Sequence, residues 1–368
     1  MKNPLCDQLG IEFPIFAFTH CRDVAAAVSR AGGLGVLGIA GLTPEQLEIE
    51  LSWVDSAVDG APYGVDVLIP ARAAGISAGQ SVNDILPEEH RRFLDELLAR
   101  YDVPPLADQT SSLIPGVDPG HGVALVDQAL EHPVRLVASA LGPPPSHLIE
   151  AAHGQGAIVA ALVGSTHHAE RQRDAGVDII VAQGYEAGGH TGSITTMVLV
   201  PEVVDTVFPL PVLAAGGIAR GRQLAAALAL GAQGAWTGSV WLTTQEAETH
   251  PVVRDKFLAA TSSDTVRSRS TTGKPARQLR TAWTDAWDDP ASPDPLPMPL
   301  QFALVDEAYQ RIQRSASTRP GAADLITYFV GQVVGSLNEV KSARQVVFEM
   351  VEEYIEVAEQ MASSLHED

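Results

Sequence analysis

Short apolar runs alternate with stretches of helical period along the first two thirds of the chain. Eight runs read as strands: Ile11–Phe18, Leu34–Gly38, Tyr63–Ile69, Val134–Ala138, Ala157–Val163, Asp178–Ala182, Pro211–Ala215 and Gln233–Gly238. Their β-branched and aliphatic content suits strands buried on both faces. Between most of them lie helix-period stretches: Asp23–Ala31, Pro44–Ala57, Val123–Leu130, Ser146–His153, Ala169–Ala175, Pro201–Val207 and Arg220–Leu230. Eight alternating βα units predict a (β/α)8 TIM barrel. An open doubly wound sheet is the alternative, and it would call for fewer strands and a cofactor fingerprint near its first turn.

Two segments interrupt the alternation. Residues 83–121 form an insertion after the third strand. It opens with a charged helix, about Pro87 to Arg100, and closes on the Pro/Gly-rich run 115–122. Long loops on this face of a barrel often serve as lids. After residue 245 comes an extension: a proline-spaced linker, Pro290 to Pro299, then helical stretches Leu300–Ser315 and Ala322–Ser336. The last segment places Val340, Ala343, Val346, Val347, Met350, Val351, Tyr354, Ala358 and Met361 on one helical face. That face packs on the barrel, or, as the second reading, forms a homodimer contact. The expected organisation is a barrel over residues 1–245, including the 83–121 insertion, and a mainly helical extension over 246–368.

Composition narrows the function classes. The 368 residues carry a net charge of −21, from 45 acidic and 24 basic side chains. Nucleic-acid binding needs a basic footprint, so it is not expected. No apolar run reaches the roughly 18 residues of a membrane span. The opening Met1-Lys2-Asn3-Pro4 lacks the apolar core of a signal peptide. Two cysteines, Cys6 and Cys21, make neither a disulfide framework nor a metal-spaced set, which fits a reduced, cytoplasmic compartment. No metal is expected. One basic island, Arg267, Arg269, Lys274, Arg277 and Arg280, reads either as a solvated segment pairing with the acidic body or as a contact for a phosphate or an acidic partner.

The candidate chemistry gathers at strand ends. The run Ala182 to Gly192 places Gln183, Glu186 and His190 in a glycine-rich turn after the sixth strand. Polar side chains at the C-terminal ends of parallel strands stand where α/β proteins place their chemistry. Gly216-Gly217 ends the seventh strand and Gly238-Ser239 the eighth. In barrels, the loops after these strands often hold a phosphate on backbone N–H groups and a helix N-terminus. FMN suits that position, with Gln183 on the flavin's polar edge. Gly32-Gly33 follows a helix and precedes a strand, the wrong setting for a dinucleotide fingerprint.

These pieces resemble the nitronate monooxygenase family, formerly called 2-nitropropane dioxygenases. The matching runs are Ala25–Gly38 (AAAVSRAGGLGVLG), Ala182–Gly192 (AQGYEAGGHTG), Val212–Gly231 (VLAAGGIARGRQLAAALALG), Trp236–Ser239 and Gly331-Gln332. Flavin-type enoyl-ACP reductases and some quinone reductases look similar. The resemblance implies an FMN-dependent TIM barrel that oxidises alkyl nitronates with O2 to a carbonyl compound and nitrite. It implies FMN contacts from Gln183, Gly188, Gly216, Gly217, Trp236, Thr237, Gly238 and Ser239, and a base in His190. A histidine titrates near neutral pH, as a base for a carbon-bound proton should.

The pattern departs from the family at two strand ends. Phe16-Ala17-Phe18-Thr19-His20-Cys21 replaces the usual Ala-Pro-Met turn, and Asp66 stands on the third strand where an asparagine usually meets the flavin. Two other functions are carried forward: an NAD(P)H-dependent flavin reductase of quinones or enoyl thioesters, and a non-catalytic FMN-binding protein. His121, in the loop region, is a candidate to reach the substrate, and His167-His168 read as surface capping.

Overall fold

The computed structural model describes residues 3–68, 85–106, 119–140 and 142–364. Eight parallel strands close into a barrel: β1 (Ile15–Thr19), β2 (Leu34–Gly38), β3 (Tyr63–Leu68), β4 (Leu136–Ala140), β5 (Ile158–Val163), β6 (Ile179–Gln183), β8 (Val212–Ala215) and β9 (Gly234–Thr237). The closing pair is β1 with β9, in the register Phe16↔Trp236. The (β/α)8 expectation therefore holds, and helices fill the connections. A capping box at Thr43 and Gln46 starts the helix Pro44–Ala57, and Ser165 caps Thr166–Asp174.

Strand alternation sorts the side chains into two layers. Ile15, Ala17, Val65, Val67, Ile180 and Ala182 point outward into the layer under the helices. Phe16, Val36, Leu136, Ala160, Val181, Leu213 and Trp236 point inward and fill the barrel. The short helix Pro4–Leu9 adds Leu5, Cys6 and Leu9 to that inner cluster. Continuing each inward row toward the strand's C-terminal end reaches Phe18, Asp66, Leu162, Gln183, Gly217 and Gly238. These positions form the barrel's mouth.

The extension contributes more than helices. β10 (Thr265–Ser268) and β11 (Ala276–Leu279) form an antiparallel sheet with β7 (Gly189–His190), in the register Ala276↔His190. This sheet was hidden in the basic island. The expected helix Ala322–Ser336 is instead a short helix, Pro320–Leu325, and a 3-10 turn, Gln332–Ser336, with Phe329 bridging Gln278 between them. Pro320 is suited to a helix start, and Gly331 and Gly335 do not extend one.

A second apolar core joins segments far apart in sequence. Leu94, Leu97 and Leu98 of the inserted helix Glu88–Arg100 pack with Trp283, Ile312 and Leu325 of the extension. The last helix, Ala343–Ser363, instead buries Val346, Val347 and Met350 in the barrel's outer layer. It lies so close to the helix Gly221–Ala229 that a Cβ at Gly221 would overlap the Met350 carbonyl. Its distal Ile355 and Met361 stay exposed. No helix among the described residues is long and apolar enough to cross a membrane.

Candidate active site

A cavity of about 1550 Å3 opens at the barrel mouth. Every site residue expected from sequence lines it: Asp66, Gln183, Gly188, His190, Gly216, Gly217, Trp236, Thr237, Gly238 and Ser239. They come from β3, from the end of β6 and the segment after it, and from the ends of β8 and β9. The extension supplies the far wall with Thr272, Lys274, Met298, Phe302, Tyr328 and Phe329.

The glycines after β8 and β9 make the best anion cradle. Gly216 and Gly217 have φ of +102° and +72°, left-handed values that a side chain would strain. The backbone N–H groups of Gly217 and Gly238 donate to no protein acceptor among the described residues. A Cβ on Gly238 would touch only Phe18, at 3.8 Å, so open space lies in front of it. Exposed N–H groups on two adjacent strand ends fit a phosphate. Ser239 is partly engaged, because its Oγ accepts the Gly331 N–H at 2.8 Å. The Thr237 hydroxyl donates to the Phe16 carbonyl and ties β9 to β1. Trp236 stacks on Phe16 and Phe18 and forms a flat apolar floor.

The segment after β6 is fastened at several points. Glu186 accepts the Thr196 N–H at 3.0 Å and thereby caps the helix Thr196–Val207. A Cβ on Gly188 would lie 2.9 Å from the backbone of Val330 and Gly331. Its missing side chain thus lets the extension approach. Gln183 donates to the Gly188 carbonyl at 3.4 Å. Arg277 donates to the Tyr185 carbonyl, Arg267 to the Thr191 carbonyl, and both guanidinium groups cover the Tyr185 ring. The basic island therefore divides. Arg269 and Arg280 pair with Asp294 and Asp285, as a solvated segment would. Arg267 and Arg277 hold the His190 loop, and Lys274 faces the cavity.

His190 sits on β7 with Nε2 2.8 Å from the Thr272 hydroxyl. Thr272 in turn donates to the Lys274 carbonyl at 3.2 Å. That donation leaves the hydroxyl oxygen to accept from Nε2–H, so Nδ1 is the unprotonated nitrogen. Burial, with the Lys274 charge second, pushes the His190 pKa down to about 4. Lys274 itself is exposed and has no ion-pair partner among the described residues.

Thr272 escaped the sequence reading, and Lys274 entered it only as part of the basic island. No local pattern says that β11 pairs with β7. His20 and Cys21 line the cavity. The His20 ring covers Gly38, where a Cβ would lie 2.6 Å away. Its surface opens into the cavity, yet the surrounding protein lowers its pKa by desolvation, against a weaker backbone hydrogen bond at Gly38. His121 does not join the site. Its Nε2 meets the Leu42 carbonyl at 3.0 Å, and it is not among the residues that line the cavity. His168 does line the cavity, although its backbone N–H is what Ser165 caps.

A family model described as nitronate monooxygenase matches residues 2–353, and so covers this barrel, its glycine turns and the His190 loop. The chain belongs to the nitronate monooxygenase family. Membership makes it an oxidoreductase. This nitronate monooxygenase family member is 60% identical over 370 residues to a Mycobacterium tuberculosis protein named "Putative monooxygenase", covering 98% of each chain. It is 28% identical over 347 residues to a Staphylococcus aureus protein named "Probable nitronate monooxygenase", covering 90% of this chain and 91% of that one. Among solved structures, nitroalkane oxidase from Streptomyces ansochromogenes is similar at a TM-score of 0.80 and 26% identity, covering 98% of this chain and 100% of that one. FabK from Thermotoga maritima is similar at a TM-score of 0.72 and 27% identity, covering 99% of both chains.

Proposed function

We propose that the protein is an FMN-dependent nitronate monooxygenase that converts alkyl nitronates, with O2, to a carbonyl compound and nitrite. The observation that carries this reading is one cavity shared by His190 and by the unpartnered N–H groups at the ends of β8 and β9. Gly217 and Gly238 hold the phosphate, aided by Gly216 and Ser239. Trp236 gives the isoalloxazine an apolar floor, and Gln183, with Gly188 beside it, borders its polar edge. Bound there, the flavin supplies electron acceptance and the reaction with oxygen.

The chain's own residues manage the anion, the proton and the water. His190 is neutral near pH 7, because burial holds its pKa near 4. Its Nδ1 takes the carbon-bound proton of a neutral nitroalkane, while Thr272 fixes the ring through Nε2. The Lys274 ammonium attracts the resulting nitro anion. Phe302, Tyr328 and Phe329 close the apolar side and exclude water.

One observation favours a second reading. Ligand pockets commonly span about 300–1,000 Å3, and this cavity of about 1550 Å3 leaves room beyond a flavin. That room would admit NAD(P)H or a thioester in a flavin reductase. The deciding experiment is anaerobic. An alkyl nitronate should reduce the bound flavin without NADH or NADPH, and nitrite should form once air is admitted. Flavin left oxidised by nitronates but bleached rapidly by NADH or NADPH would replace the monooxygenase with the reductase. Flavin bound normally with neither response would leave a non-catalytic FMN-binding protein.

A further inference from the structure

Asp66 is the one carboxyl on the eight barrel strands among the described residues. It occupies an inward position on β3, with only 6% of its surface exposed. It lines the cavity, and its carboxyl has no hydrogen-bond partner among the described residues. Its lateral neighbours in the sheet are Gly38 on β2 and Ala138 on β4, and neither offers a polar side chain. β2 and β4 contain no ionisable residue.

The helices that pack on β3 lie on its other face. From Arg22–Arg30 these carry Arg22, Asp23 and Arg30, and from Pro119–Ala129 they carry His121 and Asp127. Arg22 pairs with Glu50, and His121 meets the Leu42 carbonyl. On the cavity side, His20 and His190 are both held toward the neutral form, and the cations of the lining, Arg171 and Lys274, add nothing at the Asp66 carboxyl. No charge among the described residues therefore compensates a carboxylate at Asp66, and burial alone pushes its pKa up to about 8. A buried ion without a partner is the costly state; a buried acid is not.

We propose that Asp66 stands in the site as a neutral carboxylic acid and donates its O–H to an acceptor atom of the bound flavin. The inference rests on the reading that this cavity holds FMN. An ionised carboxylate can only accept hydrogen bonds, whereas the acid has one donor. Seating a flavin expels the remaining water and favours the acid further. Carboxylic acids in apolar sites can serve as donors at neutral pH in this way.

The test is FMN binding, followed by flavin fluorescence between pH 6 and pH 9, for the native protein and for Asp66→Asn. The amide keeps a donor and cannot ionise. A donor lost through a group titrating near 8 weakens native binding about 10-fold from pH 7 to pH 9. Asp66→Asn should bind with a flat profile over the same range, apart from any change common to both proteins. The flavin-free proteins give a second readout. The folded carboxyl titrates above its unfolded value, so native stability falls as pH rises toward 8, and Asp66→Asn should gain more in melting temperature at pH 8 than at pH 5.

Identical pH profiles in the two proteins, in either readout, would overturn the donor assignment. If Asp66→Asn does not fold, Asp66→Ser supplies a donor without a charge and takes its place. A native protein that binds no FMN at any pH would sink the flavin reading instead, while the melting comparison would still judge the state of Asp66.

Discussion

The state of His190 can be read from a pH profile. An unperturbed imidazole titrates near 6.5 and would be roughly three quarters protonated at pH 6. A base of that kind would lose about fourfold in kcat/KM between pH 8 and pH 6. In this structure burial first, and Lys274 second, move the group to about 4. Only about 1% of the rings would then be charged at pH 6, and the rate should be level from pH 8 to pH 6. The assay is oxygen uptake with a nitroalkane, expressed per neutral nitroalkane, from pH 4.5 to pH 8. The acid limb should appear only below about pH 5. Lys274→Met should shift that limb upward, and by less than the whole displacement, because burial remains. Thr272→Val should lower the rate by freeing the ring, with flavin binding unchanged. His190→Asn should lose about 10²–10⁴-fold on neutral nitroalkanes and much less on pre-formed nitronates. A native limb centred near 6.5, or equal losses on both substrate forms, would refute the neutral-base argument. The same pKa sets a stability trend. The unfolded ring binds its proton near 6.5 and the folded ring near 4, so this contribution to stability is lost as pH falls through that window.

Two further predictions concern the glycines. Gly238 has an ordinary φ of −128° and open space before it, so Gly238→Ala should fold normally. Its methyl group would stand over the backbone donors, and FMN affinity should drop about 10-fold, consistent with one charge-assisted hydrogen bond of roughly 1.5–3 kcal/mol. Unchanged affinity would move the phosphate elsewhere. Gly188→Ala would place a methyl group 2.9 Å from the Val330–Gly331 backbone, and should destabilise the protein by about 1–3 kcal/mol in denaturant unfolding. A loss under about 0.5 kcal/mol, the range of ordinary surface changes, would mean that the extension yields freely there.

The barrel was legible because its signals are local. Each strand core is a short apolar run, and each intervening helix shows its own period, so eight βα units could be counted directly. The Gly216-Gly217 turn after β8 was legible for the same reason, since a left-handed turn leaves its mark on the residue type at that position. Counting by twos along each strand even shows that Asp66 and Gln183 point inward. The state of those groups was not legible. Asp66 is pushed toward the acid because Gly38 and Ala138 flank it and no charge among the described residues compensates it. His190 is held by Thr272, which is 82 residues away in sequence, through a β7–β11 pairing that its two-residue strand cannot announce. The inserted helix Glu88–Arg100 and the extension read as separate attachments, yet Leu97 and Ile312 share one core. Local pattern specifies a backbone element because its determinants are neighbours in the chain. Protonation states, ring partners and shared cores depend on contacts between residues distant in the chain, and only the folded structure brings those together.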